Sequence, residues 1–410
     1  MAAPFHWSRR ASAVAAVAIA AGIAVTGCQT VPPPKPAPIV TPPAPSTSSR
    51  AVFTPAAWTD LPGFAADPVA AAWPAFVIGC RALLANPKTQ PVWQKPCAES
   101  ARVDGANSDA VRAFFAAHFS PYRIATQDGS DAGLVTGYYE PLLAGSRAST
   151  PQFAIPLYAP PDDLLTIELS DLYPELKDKR VRGRVEGKKV VPYWSRAELE
   201  RGAPSLAGKA LVYVADPVEA FFLEIQGSGR IELTDGSVIR LNYADQNGHP
   251  YRSIGRVLSD RGELALERTS MPNIRAWAKA NPDKLRGLLD ENPSYVFFRE
   301  VAAPAPGSLD ATIDGPLGSL GVPLLAGRTI AVDARAIPLG APVFLATTLP
   351  SSDAPLTRLT LAQDTGGAIR GPVRADFFWG FGAEAGREAG RMRQQGRMWL
   401  LWPKGAPLPQ

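Results

Sequence analysis

The chain has 410 residues and a formal charge of +4, from 42 Lys and Arg against 38 Asp and Glu. So small a basic excess argues against nucleic acid as a partner. Three histidines and three cysteines supply a zinc site or a Ser-His-Asp triad poorly, while a chain of this length suffices for a sizeable core and two structural units.

Arg9 and Arg10 precede an apolar run from Ala13 to Val25, too short to span a bilayer comfortably and shaped like a signal peptide. It ends Val25-Thr26-Gly27-Cys28, which resembles the bacterial lipoprotein box and predicts cleavage after residue 27 with lipidation of Cys28. Gln29, where an Asp would retain such a protein at the inner membrane, points to export to the outer membrane facing the periplasm. Residues 28–55 follow as a tether: VPPPKPAPIVTPPAPSTSS is Pro-rich, has no aromatic residue and cannot bury a core.

Residues 60–120 read as helical. Asn107 or Ser108 caps a helix whose Val111, Phe114, Phe115, His118 and Phe119 share one face, so His118 is a core residue. Cys80 and Cys97 are either one disulfide or a buried unpaired pair. At Leu134 the texture turns strand-like, and the adjacent Tyr138 and Tyr139 present one ring inward and one outward. An exposed tyrosine beside a groove is suited to stacking on a sugar, although a core role is commoner. From Ser149 to Tyr243 short β-rich runs broken by turns suggest a small barrel or open sheet inserted into a larger domain. Within it Gln226-Gly227-Ser228-Gly229 offers a backbone that a ligand can approach closely. Helices return after His249, with Ser270 and Asn281 as caps and Pro272 and Pro282 in the first turns.

The stretch LTLAQDTGGAIRGPVRADFFW, Leu359 to Trp379, concentrates the chemistry. Two alternating apolar runs carry Asp364 and Asp376, joined by a Gly/Pro-rich connection, and Asp333 lies in an earlier strand-like run. Three carboxylates among apolar residues invite acid–base work; the plainer alternative is that they cap turns and pair with Arg335, Arg370 and Arg374. The Gly380–Gly386 run has the wrong spacing and context for a dinucleotide loop.

Five stretches in order resemble the membrane-bound lytic murein transglycosylase A family: TGYYEP (136–141), FLEIQGSG (222–229), NGHPYRSIG (247–255), NPSYVFF (292–298) and the aspartate region closing with GAEAGREAG (382–390). The resemblance covers roughly residues 60–402. It implies a mainly β fold with flanking helices: a double-psi β-barrel domain with an inserted second β-barrel-like domain and a groove between them. The barrel domain would be residues 56–147 and 247–402, and the insert 148–246.

The activity implied is peptidoglycan cleavage at the β-1,4 bond between N-acetylmuramic acid and N-acetylglucosamine by an exotransglycosylase. The muramic C6 hydroxyl attacks its own anomeric carbon, so one acid that later serves as base suffices. Asp376 takes that role, with Asp364 and Asp333 supporting its orientation or charge. Tyr138, Tyr139, Gln226, Gly227, Ser228, Gly229, Asn247 and His249 are the implied glycan-binding residues. No metal and no cofactor are implied. The partners are peptidoglycan glycan strands, the outer membrane through the lipid anchor, and proteins of cell-wall synthesis, for a chain that is itself a monomer. Phe377, Phe378 and Trp379 would raise the pKa of Asp376, as would an ionised Asp364; a rise of about two to three units corresponds to roughly 3–4 kcal/mol. Glu140 receives no catalytic part. Two other functions compete. Asp364-Thr365-Gly366 matches the aspartic-protease signature, but no second copy occurs. A lipoprotein that merely binds peptidoglycan would be indifferent to loss of Asp376.

Overall fold

The computed structural model describes residues 50–176 and 181–409. The signal peptide, Cys28 and most of the tether lie outside the described residues, and among those described no helix is long and apolar enough to cross a membrane.

The fold begins before the expected end of the tether. Strand β1 (Val52–Pro55) pairs antiparallel with β2 (Phe119–Ala125), placing Val52 opposite Ala125. Between them lie α1 (Trp73–Ala85), α2 (Gln90–Ser100) and α3 (Ser108–His118). Prolines stand in the first turns of α1 and α2, where the missing N–H costs no helical bond. Asn107 caps α3 by accepting from the backbone N–H groups of Asp109 and Ala110. The apolar face of α3 buries Val111, Phe114 and Phe115, with Trp73 edge-on to both phenylalanines. His118 is half-buried at the end of that face, its ring 4.9 Å from Phe114. Cys80 and Cys97 form a disulfide that joins α1 to α2.

Strand β3 (Gly133–Glu140) passes through Pro141 directly into β4 (Leu142–Ser146), which belongs to a different sheet. Next come β5 (Ile155–Tyr158), then β6 (Leu165–Thr166), β7 (Arg182–Glu186) and β8 (Lys189–Pro192), the last three forming a small antiparallel sheet. Helix α4 (Arg196–Glu200) and β9 (Ala210–Val214) lead to α5 (Pro217–Gln226), β10 (Ser228–Leu233) and β11 (Val238–Gln246). The β-rich texture of this region therefore conceals two helices. Asp216 caps α5 through the N–H groups of Val218 and Glu219, Pro217 opens it, and Gly227 ends it with a φ of 77° that other residues adopt at a cost.

Helices α6 (Ile254–Asp260), α7 (Met271–Ala280) and α8 (Pro282–Leu289) pack with α5 around Phe221, Leu258 and Leu288. Ser270 and Asn281 occupy the N-cap positions of α7 and α8, but neither side chain accepts a capping bond. With β12 (Val296–Val301) the second sheet is complete, in the order β12-β11-β10-β4-β9-β5. It is an open sheet that draws strands from 142–146 and 296–301, both outside the 148–246 range that the family resemblance implied.

The remaining strands are β13 (Thr329–Val332), β14 (Pro342–Thr348), β15 (Pro355–Asp364), β16 (Ala375–Phe381) and, after α9 (Gly382–Arg391), β17 (Arg393–Pro403). They join the early strands in the order β1-β2-β17-β14-β15-β13-β16-β3, and β3 pairs back onto β17. The molecule is thus mainly β with helices around it. Every residue of β13 is buried, as expected of an apolar run held between a parallel neighbour, β15, and an antiparallel one, β16. The largest core lies here, where Phe344, Leu359, Leu361 and Phe377 are fully buried. Each such side chain contributes about 1.5–3 kcal/mol relative to exposure.

Candidate active site

Pairing across β13 brings two of the three aspartates together. Ala331 stands opposite Asp364 on one side and Asp376 on the other. Paired residues project to the same face of a sheet, so a small residue separates two carboxylates on one face. Alternation along β16 puts Phe378 on that face with Asp376. There it joins Tyr138, Leu324, Ala331 and Ile369 in an apolar cluster. Phe377 and Trp379 point the other way: Phe377 enters the main core and the Trp379 indole N–H faces the Met392 sulfur at 3.3 Å. Of the three aromatics expected around the acid, Phe378 alone lies on its face.

The half-buried Asp376 accepts one hydrogen bond, from Thr136 Oγ1 to Oδ1 at 2.6 Å. Arg374 Nη2 donates to the same hydroxyl at 2.9 Å, orienting it. No hydrogen bond engages Oδ2 of Asp376 among the described residues. Burial raises the carboxyl above its ordinary value; the Thr136 bond and the Arg374 charge oppose this, and Asp364 reinforces it. Asp364 is held more fully. Its Oδ1 accepts from the backbone N–H and hydroxyl of Ser319, both at 2.9 Å, and its Oδ2 accepts from the Tyr138 hydroxyl at 3.1 Å. Burial still raises Asp364, against these bonds. Burial and both carboxylates together push the Tyr138 hydroxyl far up, so it stays a donor.

Asp333 does not belong to this pair. It is buried, meets Arg335 at 2.7 Å and accepts from the Gly371 N–H at 2.8 Å. Although burial opposes it, these bonds hold its carboxyl below the ordinary range. It secures the turn that leads into β16 and remains an anion.

Asp364, but not Asp376, lines a cleft of about 500 Å³. Ser319 and Thr365 accompany it on that wall, while Gln226, Gly227, Ser228, Asn242 and Arg299 come from the second sheet and the end of α5. Gln226 also anchors β3 by accepting from the Tyr139 N–H at 3.1 Å. The other sequence candidates lie elsewhere. The Tyr139 ring packs on Gly386 of α9, its hydroxyl 3.9 Å from the Met271 sulfur, so Tyr138 is the tyrosine that faces the carboxylates. A Cβ on Gly229 would meet Leu223 at 2.3 Å, which makes that glycine a packing requirement. Asn247 is buried with its amide spent on Trp194, Pro293 and Tyr295, leaving nothing for a ligand. His249 Nε2 is occupied by the Tyr193 carbonyl at 2.7 Å. Glu140, 1% exposed, is bound to Arg230 as a structural ion pair. Sequence reasoning missed Thr136, although it lay inside a quoted motif, and Ser319, whose loop carries no pattern. No hydrogen bond joins Asp364 to Asp376 among the described residues, unlike the shared-proton dyad of an aspartic protease.

A mainly β scaffold with two half-buried carboxylates on one face beside an open cleft is an arrangement suited to acid–base chemistry, and the comparisons give the chain a family. Residues 134–299 match the model of the MltA specific insert domain and residues 328–402 that of the 3D domain. The crystal structure of MltA from Neisseria gonorrhoeae superposes with a TM-score of 0.75 at 40% identity, over 89% of this chain and 96% of that one. The membrane-bound lytic murein transglycosylase A of Escherichia coli K12 is 35% identical over 281 residues, 66% of each chain. Escherichia coli MltA solved with bound chitohexaose aligns at 26% identity and a TM-score of 0.59, over 89% of this chain and 96% of that one. The chain belongs to the membrane-bound lytic murein transglycosylase A family.

Proposed function

We propose that the protein is a lytic transglycosylase of peptidoglycan. It cleaves the β-1,4 bond between N-acetylmuramic acid and N-acetylglucosamine from strand ends and leaves 1,6-anhydromuramic acid. The observation that carries this reading is the contrast between the two paired carboxylates. Among the described residues one oxygen of Asp376 is free of partners, and burial holds its proton at higher pH, the state a general acid needs. Asp364 has both oxygens engaged and serves to position and to tune. Asp376 donates its proton to the leaving glycosidic oxygen. The resulting carboxylate then takes the proton of the muramic C6 hydroxyl as that oxygen closes on the anomeric carbon. An internal nucleophile has an effective concentration on the order of 10⁵ M or more, so no second carboxylate is needed to activate water. The chitohexaose bound to the Escherichia coli relative supports a cleft that takes a β-1,4-linked glycan here as well.

The same proposal covers the setting. The sheet in which β3 returns to β17 is read as the double-psi barrel of the family, with an insert built around 148–246 and extending to the strands at 142 and 301. Lipidation at Cys28 tethers a monomer to the outer membrane, within reach of proteins of cell-wall synthesis. The test is digestion of purified peptidoglycan by the soluble chain from Arg50 onward. Muropeptides one water lighter than lysozyme-type products, without a reducible end and formed undiminished in the presence of a chelator, are expected. Mass spectra dominated by hydrated, reducible ends would refute the reaction.

A further inference from the structure

The charges on the cleft wall are unevenly balanced. Glu224 is spent on Arg196, with contacts of 2.9 and 2.7 Å, and Asp364 is held by Ser319 and Tyr138. Arg299 lines the same cleft and is exposed, and its guanidinium has neither hydrogen bond nor ion pair among the described residues. Its position is firm: it sits on β12, the edge strand of the second sheet, directly across from the buried Asn242 of β11. The next residue, Glu300, is taken by Arg147 through two contacts of 2.8 Å and cannot neutralise it. Elsewhere on the second sheet Arg230 and Arg240 both meet Asp314. Among the described residues one guanidinium is left on the cleft wall.

A free guanidinium beside a binding cleft takes a planar anion, and its fork matches a carboxylate in bidentate fashion. Resting on the glycan reading above, we infer that Arg299 forms a carboxylate subsite that recognises the acidic substituent on the muramic C3 oxygen. That carboxylate is either the free lactyl group of a stripped strand or one on a peptide stem. N-acetylglucosamine carries no charge, so a strand of it alone would gain nothing from this residue. Arg299 thereby separates binding of peptidoglycan from binding of a neutral β-1,4 glycan.

The experiment compares Arg299→Gln and Arg299→Lys with the parent protein in binding to three probes: chitohexaose, peptide-free peptidoglycan strands and stem-bearing strands. All proteins carry Asp376→Asn to prevent turnover. Arg299→Gln is expected to weaken one or both anionic probes by about tenfold and chitohexaose by less than twofold. Arg299→Lys should recover part of the loss, and added salt should narrow the gap. Loss confined to stripped strands assigns the lactyl carboxylate; loss confined to stem-bearing strands assigns the peptide. Equal weakening of all three probes, or of none, overturns the inference while leaving the glycan reading standing. A parent protein that binds none of the three overturns the glycan reading itself. Arg299 lies exposed on an edge strand, and an unchanged melting temperature verifies that each variant folds.

Discussion

Asp333 follows β13 and Asp376 lies on β16, its antiparallel neighbour, yet their surroundings act on them in opposite directions. Asp333 is the more buried, but Arg335 and the Gly371 N–H hold it as an anion. Asp376 has one hydroxyl donor, an arginine engaged chiefly through Thr136, and an apolar cluster beside it, so its proton is retained to higher pH. Burial alone does not make an acid catalyst. What decides is whether donors and a paired cation together outweigh burial: Arg335 and the Gly371 N–H do so at Asp333, whereas the neutral donors to Asp364 do not.

The largest expected effect tests the acid side. Asp376→Asn should lower the rate of anhydro-muropeptide formation by roughly 10²–10⁴-fold, the usual scale of general acid–base catalysis, with chitohexaose binding and folding retained. A normally active variant would remove Asp376 from the mechanism. Asp364→Asn should cost about tenfold or less and move the pH optimum, since Asp364 acts through charge, and Tyr138→Phe should move the optimum in the same assay by withdrawing a donor from it. An unmoved profile in both variants would separate Asp364 from the acid.

The anion side is tested by stability. Asp333→Asn should cost about 1–2 kcal/mol at neutral pH, discounted because Arg335 is partly exposed. Because the folded value of Asp333 is depressed, its contribution is present above the unfolded value and is lost as pH falls through the folded one. The variant's deficit in melting temperature should therefore shrink in acid. The folded value of Asp376 is raised, so its contribution is present below the unfolded value and is lost as pH rises through the folded one. The melting temperature of Asp376→Asn relative to wild type should accordingly climb as pH rises. Parallel slopes for the two variants would erase the contrast. The smallest effect is assigned to Gln226→Ala, about 1 kcal/mol of stability from the lost acceptor of the Tyr139 N–H; an unchanged melting temperature would show that bond to be idle.

The local half of this site was legible in the sequence. Alternation marked the strands bearing Asp364 and Asp376, the run before Asp333 read as strand-like, and the paired tyrosines announced that one ring faces inward. Register was not legible, because it depends on partners far along the chain: Thr136 and Asp376 are 240 positions apart. Register alone selects Tyr138 over Tyr139 and Phe378 over Phe377, since a one-residue slip exchanges the faces. The motif 247–255 pointed to binding only through the family resemblance, whereas Asn247 is consumed within the fold. Helix α5 was hidden by apolar residues that suit a strand equally well, although Asp216-Pro217 carried its start signal. The family resemblance, by contrast, was carried by motifs spread over the whole fold and matches the family found by comparison.

Between β3 and β4 the chain allows itself a single residue, Pro141, about 3.5 Å of slack. Its carbonyl is gripped by the Arg230 N–H at 2.8 Å, and the guanidinium of that arginine clasps Glu140, the last residue of β3. A one-residue joint held at both ends leaves β3 no loop in which to shift independently of the second sheet. Tyr138, two positions from Glu140, shares that fixed geometry, and its hydroxyl holds Asp364. The placement of a donor beside the carboxylate pair is thus tied to the seam between the two sheets.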